Sequence, residues 1–129
     1  LVFYAEDIVV PVDQISVLIK KLTEFENKYS IRTMTAAHIG DGNIHVHAMQ
    51  CDTPNAIWNQ KLDDFHNDLY HFVYSIGGKL SGEHGIGSKK IKEMKLFTDP
   101  IEMKYMKRVK KVFDPNLILN PGKIFLFEE

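Results

Sequence analysis

The chain has 129 residues, with 16 Lys and Arg against 17 Asp and Glu for a formal net charge of -1. That length suits one domain of ordinary size, and the charge balance gives no support to a nucleic-acid partner bound by bulk electrostatics. Cys51 is the single cysteine, which excludes an internal disulfide framework, and 44% hydrophobic residues are enough for a real core.

The first segment carries Glu6 and Asp7, lacks the basic start of a leader peptide, and ends in the β-branched run Ile8, Val9, Val10, which predicts a short strand. No run of about 18 apolar residues follows anywhere, so no membrane-spanning helix is expected. Pro11 redirects the chain, Asp13 is placed to cap, and Ile15, Leu18, Ile19, Leu22 and Phe25 recur at helical spacing over residues 13–29. Residues 31–39 and 43–50 read as two strands. Gly40-Asp41-Gly42-Asn43 lies between them, and Asp-Gly between alternating strands predicts a two-residue type I′ hairpin. A long helix is predicted from Thr53-Pro54 to about residue 76, with Trp58, Leu62, Phe65, Leu69, Phe72 and Val73 on its buried stripe. Gly77-Gly78 ends it.

A brief strand over 79–81, a short helix over 88–94 and a helix over 100–112 follow. The last is capped by Asp99, with Met103, Met106 and Val109 turned inward. Asp114-Pro115 stops it, and an apolar tail is broken by Asn120-Pro121-Gly122-Lys123. This order predicts an α+β fold, most economically a ferredoxin-like antiparallel sheet with helices packed on it.

The hairpin turns spacing into distance. With Asp41-Gly42 at the turn centre, His38 would pair with His45, and directly opposed Cβ atoms lie about 4.5–5.5 Å apart. Two imidazoles can then converge on one ion, and His47 shares their face. Glu83-His84, set among Gly82, Gly85 and Gly87, supplies a carboxylate to complete a His₂Glu set suited to zinc or manganese. Histidine is the residue type that most often serves as a general base near neutral pH, and His84 stands beside Glu83 as that candidate. The residues alone leave a second reading open, in which these histidines are hydrogen-bonded parts of a half-buried sheet. His66 and His71 read as structural, Asp41 as a turn cap, and Lys89, Lys90, Lys92 and Lys95 as a solvated face. The glycines do not form a phosphate loop or a dinucleotide fingerprint.

Four stretches in order closely resemble the C-terminal substrate, or cap, domain of the FAD-linked oxidases. They are His38-Ile-Gly-Asp-Gly-Asn-Ile-His45, Gly77-Gly78, Gly82-Glu-His-Gly-Ile-Gly87 and Phe113-Asp-Pro-Asn-Leu-Ile-Leu-Asn-Pro-Gly-Lys123. That group includes the flavin subunit of glycolate oxidase, D-lactate dehydrogenase and D-2-hydroxyglutarate dehydrogenase. The resemblance implies that His38, His45 and Glu83 hold zinc or manganese. It implies that His84 takes the hydroxyl proton of a D-2-hydroxy acid while hydride passes to FAD, and that His47 lies beside the substrate. Residues 113–129, with Asn120 toward the cofactor, would return to the flavin domain.

The FAD-binding domain of that family has no counterpart in these 129 residues. The chain, one cap domain over 1–129, is therefore expected to be a fragment of a larger flavoenzyme, inactive alone, with its N-terminal FAD domain as partner. Apolar surface facing that partner would favour a homodimer. A cytoplasmic location is expected, with any membrane association through partners. The competing functions are a non-catalytic assembly module with a structural metal or none, and a free-standing metal hydrolase.

Overall fold

The computed structural model describes residues 3–127. The chain divides into two compact units, Leu1–His84 and Gly85–Glu129, taken in turn.

The first unit is built on a three-stranded antiparallel sheet of order β1-β3-β2, from β1 (Phe3–Val9), β2 (Arg32–His38) and β3 (Asn43–Met49). Two helices, α1 (Ile15–Tyr29) and α2 (Asn55–Ser75), complete a β-α-β-β-α order. Strand alternation gives the central strand two unlike faces. Ile44, Val46 and Ala48 are fully buried on one, together with Ile8 of β1. The helices cover this face. Glu26 of α1 accepts hydrogen bonds from the backbone and hydroxyl of Thr33 at 2.7 and 2.8 Å, and His66 of α2 packs its ring 4.7 Å from Tyr4. Leu18, Leu22 and Phe25 of α1 and Phe65, Leu69 and Val73 of α2 fill the layer between. Each such side chain contributes about 1.5–3 kcal/mol of burial. Phe25 meets Phe65 edge-on with centroids 6.2 Å apart, an arrangement the ring quadrupole favours. Glu6 is also buried on this side, with His66 Nε2 3.5 Å from its carboxylate.

The opposite face carries Asn43, His45 and His47 of β3, Asp7 of β1 and His38 of β2. After α2, Gly77 turns left-handed (φ +84°) and the chain returns beside β1. The expected strand over 79–81 is a single antiparallel bridge of Val9 with Lys79. It occupies the place of the fourth strand in a ferredoxin-like plait. Gly78 makes the approach feasible, because a Cβ there would lie 2.5 Å from the Val9 carbonyl oxygen.

The hairpin differs from expectation in one respect. Its loop is four residues, 39–42, and His38 pairs with Asn43 while His45 pairs with Ala36. A type I′ turn needs positive φ at both Asp41 and Gly42, and only Gly42 has it (φ +77°). Instead the Asp41 N–H donates to the His38 carbonyl at 3.3 Å, and the Asp41 carboxylate accepts from the Asn43 N–H at 3.3 Å. The Gly42 carbonyl accepts from the Val10 N–H at 3.0 Å. The register slips by two residues, which preserves side-chain parity, so His38 and His45 still share a face. Gly42→Ala would put a Cβ 2.0 Å from the Val10 carbonyl oxygen in a left-handed conformation. We expect it to cost on the order of 3 kcal/mol, read as a lower urea midpoint.

Asp13 does not cap α1. It lies in a 3-10 turn, Val12–Gln14, and the helix starts after Gln14 with no side-chain cap.

The second unit holds α3 (Ile91–Phe97) and α4 (Pro100–Phe113). The short helix sits three residues later than predicted, since residues 87–89 form a turn. Asp99 caps α4 as expected, accepting from the Ile101 and Glu102 N–H groups, with Pro100 in the first turn. The inward placement of Met106 and Val109 is not observed. They are 40% and 57% exposed, and α4 buries no residue. The helical period locates an apolar stripe but not what covers it. Asp114 ties the tail back, accepting from the Ile118 and Leu119 N–H groups, each at 3.0 Å, and from Lys110. Those contacts, the Lys110 ion pair foremost, hold its carboxyl below the ordinary range. Among the described residues, no helix is long and apolar enough to cross a membrane.

Candidate metal and proton-transfer site

β3 presents His45 on the sheet face away from the helices, directly opposite Asp7 of β1. The sheet leaves the His45 imidazole 14% exposed. His38 reaches it from the end of β2, with ring centroids 5.5 Å apart at 83°.

The remaining members arrive on the bend after the Val9–Lys79 bridge. There the Asp7 carboxylate organises the backbone. Its Oδ2 accepts from the Ser81 hydroxyl at 2.7 Å and from the N–H groups of Gly82, Glu83 and His84 at 3.1, 3.0 and 2.8 Å. Three successive N–H groups aimed at one oxygen form an anion cradle. Gly82 permits it, since a Cβ there would fall 2.5 Å from Asn43 Oδ1. Burial pushes the Asp7 carboxyl up. The Ser81 hydroxyl, the His84 and Glu83 N–H groups and the charge on His84 more than offset this and hold it at about 2, against an ordinary 3.8.

The sign follows. A depressed carboxyl stabilises the fold above its unfolded pKa and loses that contribution as pH falls through the folded one. Asp7 therefore adds on the order of 2 kcal/mol above about pH 4, lost toward pH 2. Urea unfolding of the metal-free protein should show an acid-labile component of that size, absent in Asp7→Asn.

With the bend so held, Glu83 Oε1 lies 3.1 Å from His45 Nε2, 3.6 Å from His38 Nε2 and 3.7 Å from His84 Nε2. The His84 ring stacks on His45 at 5.0 Å and 25°, and its side chain is 60% exposed. Ligands around one ion with bonds of about 2.0 Å sit about 3.3 Å apart in tetrahedral geometry, and the two distances to Glu83, 3.1 Å from His45 and 3.6 Å from His38, bracket that spacing. Imidazole and carboxylate donors suit zinc or manganese. Ligand atoms of Asp7, His45, Glu83 and His84 also all lie within 4.8 Å of one another, and His38 meets this set at Glu83.

The structure thus brings His38, His45, Glu83 and His84 together. His47 lies on the same face, half-buried and opposite Ala5 and Met34. Asn120 belongs to the second unit. It has a left-handed backbone (φ +46°) and lines, with Tyr105, Met106, Val109, Lys123 and Phe125, a cavity of about 550 Å³. Sequence reasoning missed Asp7. The available signal was an acidic residue one position before a β-branched run, of the right parity to face His45 once β1 is paired.

A family model described as FAD linked oxidases, C-terminal domain, matches residues 1–124. The chain is 36% identical over 118 residues to a D-lactate dehydrogenase of Anaerostipes hadrus, covering 92% of this chain and 25% of that protein. It is 36% identical over 122 residues to the glycolate oxidase subunit GlcD of Bacillus subtilis, covering 93% and 25%. It is 34% identical over 125 residues to a D-2-hydroxyglutarate dehydrogenase of Stutzerimonas stutzeri, covering 95% and 27%. The chain spans about a quarter of the length of these curated relatives.

Proposed function

The chain belongs to the FAD-linked oxidases, C-terminal domain family, and from that membership we propose that it is the metal-binding and proton-abstracting part of a flavoenzyme oxidising a D-2-hydroxy acid to the 2-oxo acid. The observation that carries the reading is the convergence of the His38, His45 and His84 Nε2 atoms on Glu83 Oε1 within 3.1–3.7 Å.

His38, His45 and Glu83 would hold zinc or manganese. When bound, the metal would acidify a substrate hydroxyl and FAD would accept the hydride. His84 is the base. Its side chain is exposed, as is that of His38, while its backbone N–H is held on Asp7 at 2.8 Å, so an open proton acceptor stands on a hydrogen-bonded main chain. It takes the hydroxyl proton as C2 gives up its hydrogen with both electrons. His47 lies two residues beyond His45 along the same face and is assigned to the substrate side. Asn120 and the tail are assigned to the cofactor-bearing remainder of the protein.

The exposed apolar residues of α4 and the tail, Val109, Val112, Phe113 and Ile118 among them, would meet that remainder or, in the isolated chain, a second copy. The isolated chain is expected to be inactive. The experiment uses the full-length protein. Stoichiometric zinc or manganese and anaerobic bleaching of bound flavin by glycolate, D-lactate or D-2-hydroxyglutarate support the reading. A metal-loaded flavoprotein that none of these acids reduces would overturn it.

A further inference from the structure

We infer that Asp7 is a positioning residue for this site, its Oδ2 fixing the Ser81–His84 bend and its Oδ1 orienting the Nδ1 edge of His45 so that Nε2 is presented toward Glu83. The inference deepens the metal-site reading above and rests on it for its consequence.

Two carboxylate oxygens do two different things. Oδ2 collects four donors, from Ser81, Gly82, Glu83 and His84. Oδ1 is buried without a hydrogen-bond partner and lies 3.8 Å from His45 Nδ1. That separation exceeds a hydrogen bond, but the pair is directly opposed in the β1–β3 ladder, and a small ring rotation closes it. A buried acceptor with no partner is unfavourable, so closure is favoured.

The two ring nitrogens of His45 thus face two different carboxylates, Nδ1 toward Asp7 and Nε2 toward Glu83 at 3.1 Å. With Nδ1 protonated toward Asp7, Nε2 keeps its lone pair for a ligand. A carboxylate behind a ligating imidazole fixes tautomer and orientation and raises basicity. Direct ligation by Asp7 is the rival. It fits less well because Oδ2 is saturated by donors and Oδ1 faces the Nδ1 edge, away from Nε2.

Asp7→Asn separates these roles. The four donors at Oδ2 require an acceptor, so the amide oxygen must sit there. The amide NH₂ then faces His45 Nδ1 and donates to it, forcing the proton onto Nε2. The bend survives and the tautomer inverts, which a merely structural residue would not produce.

The test takes the full-length protein, stripped of metal and labelled with ¹⁵N-histidine, the tautomer being read in a Glu83→Ala background so that no carboxylate competes for the proton at Nε2, with position 7 unsubstituted or Asp7→Asn. Long-range ¹⁵N–¹H correlations should show His45 protonated at Nδ1 with Asp7 unsubstituted and at Nε2 with Asp7→Asn. Zinc affinity, measured with Glu83 in place against a competing chelator, should fall about 10–100-fold in Asp7→Asn. Nε2 protonation with Asp7 unsubstituted would overturn the inference, and that measurement stands even where Asp7→Asn does not fold. An unchanged tautomer in a folded Asp7→Asn would overturn it too, and with lost affinity would assign Asp7 as a ligand. The expected tautomer in a protein that, with Glu83 in place, takes up neither zinc nor manganese would sink the metal reading and leave the orienting role of Asp7 intact.

Discussion

His84→Ala in the full-length protein is expected to slow flavin reduction by the hydroxy acid by about 10²–10⁴-fold, the range of a lost general base, with the metal still bound. Both halves of the expectation come from how the residue is held. Its backbone N–H donates to Asp7 at 2.8 Å, a bond alanine keeps, so the bend and Glu83 stay in place. Its imidazole stacks on His45 at 5.0 Å and is mostly open to solvent, so truncation leaves no cavity and no orphaned buried partner. What disappears is the proton acceptor. Rapid-mixing measurement of flavin bleaching with parallel metal analysis reads the two halves separately. Loss of metal together with rate would instead make His84 a ligand, as its place within the 4.8 Å cluster allows.

How far the sequence could be read shows where local chemistry stops deciding. The two faces of β3 were legible because a period of two assigns Ile44, Val46 and Ala48 to one side and His45 and His47 to the other. Any loop of even length keeps His38 with His45, so the face survived the error in the turn. The turn type itself was not legible. Asp41-Gly42 is compatible with a two-residue loop, and what selects the four-residue one is the Val10 N–H bonded to the Gly42 carbonyl, a contact from a distant strand. Asp7 was hidden for the same reason. Its donors lie 74 to 77 residues away in sequence, and nothing near it announces them. The helices of the first unit were readable through their buried stripes. In α4 the stripe was equally clear in sequence, but Met106 and Val109 are exposed, because periodicity names an apolar face without supplying its partner.

Glu83→Gln is expected to lower zinc or manganese affinity by more than about 100-fold while leaving the metal-free fold within about 1 kcal/mol of the parent. The Glu83 carboxylate oxygen at the centre of the site lies within 3.7 Å of all three Nε2 atoms. Replacing it by an amide removes the anionic ligand and places a donor or a weaker neutral oxygen against imidazoles that must themselves offer lone pairs. The effect on stability should be small for separate reasons. The Glu83 side chain is 49% exposed, and half-exposed charge pairs contribute little in water. Its structural bond is the backbone N–H to Asp7 at 3.0 Å, which glutamine retains. Equilibrium dialysis for the metal and urea unfolding in chelator measure the two quantities independently. A variant that keeps stoichiometric metal would remove Glu83 from the ligand set, and with it the reason for the bend to be built as it is.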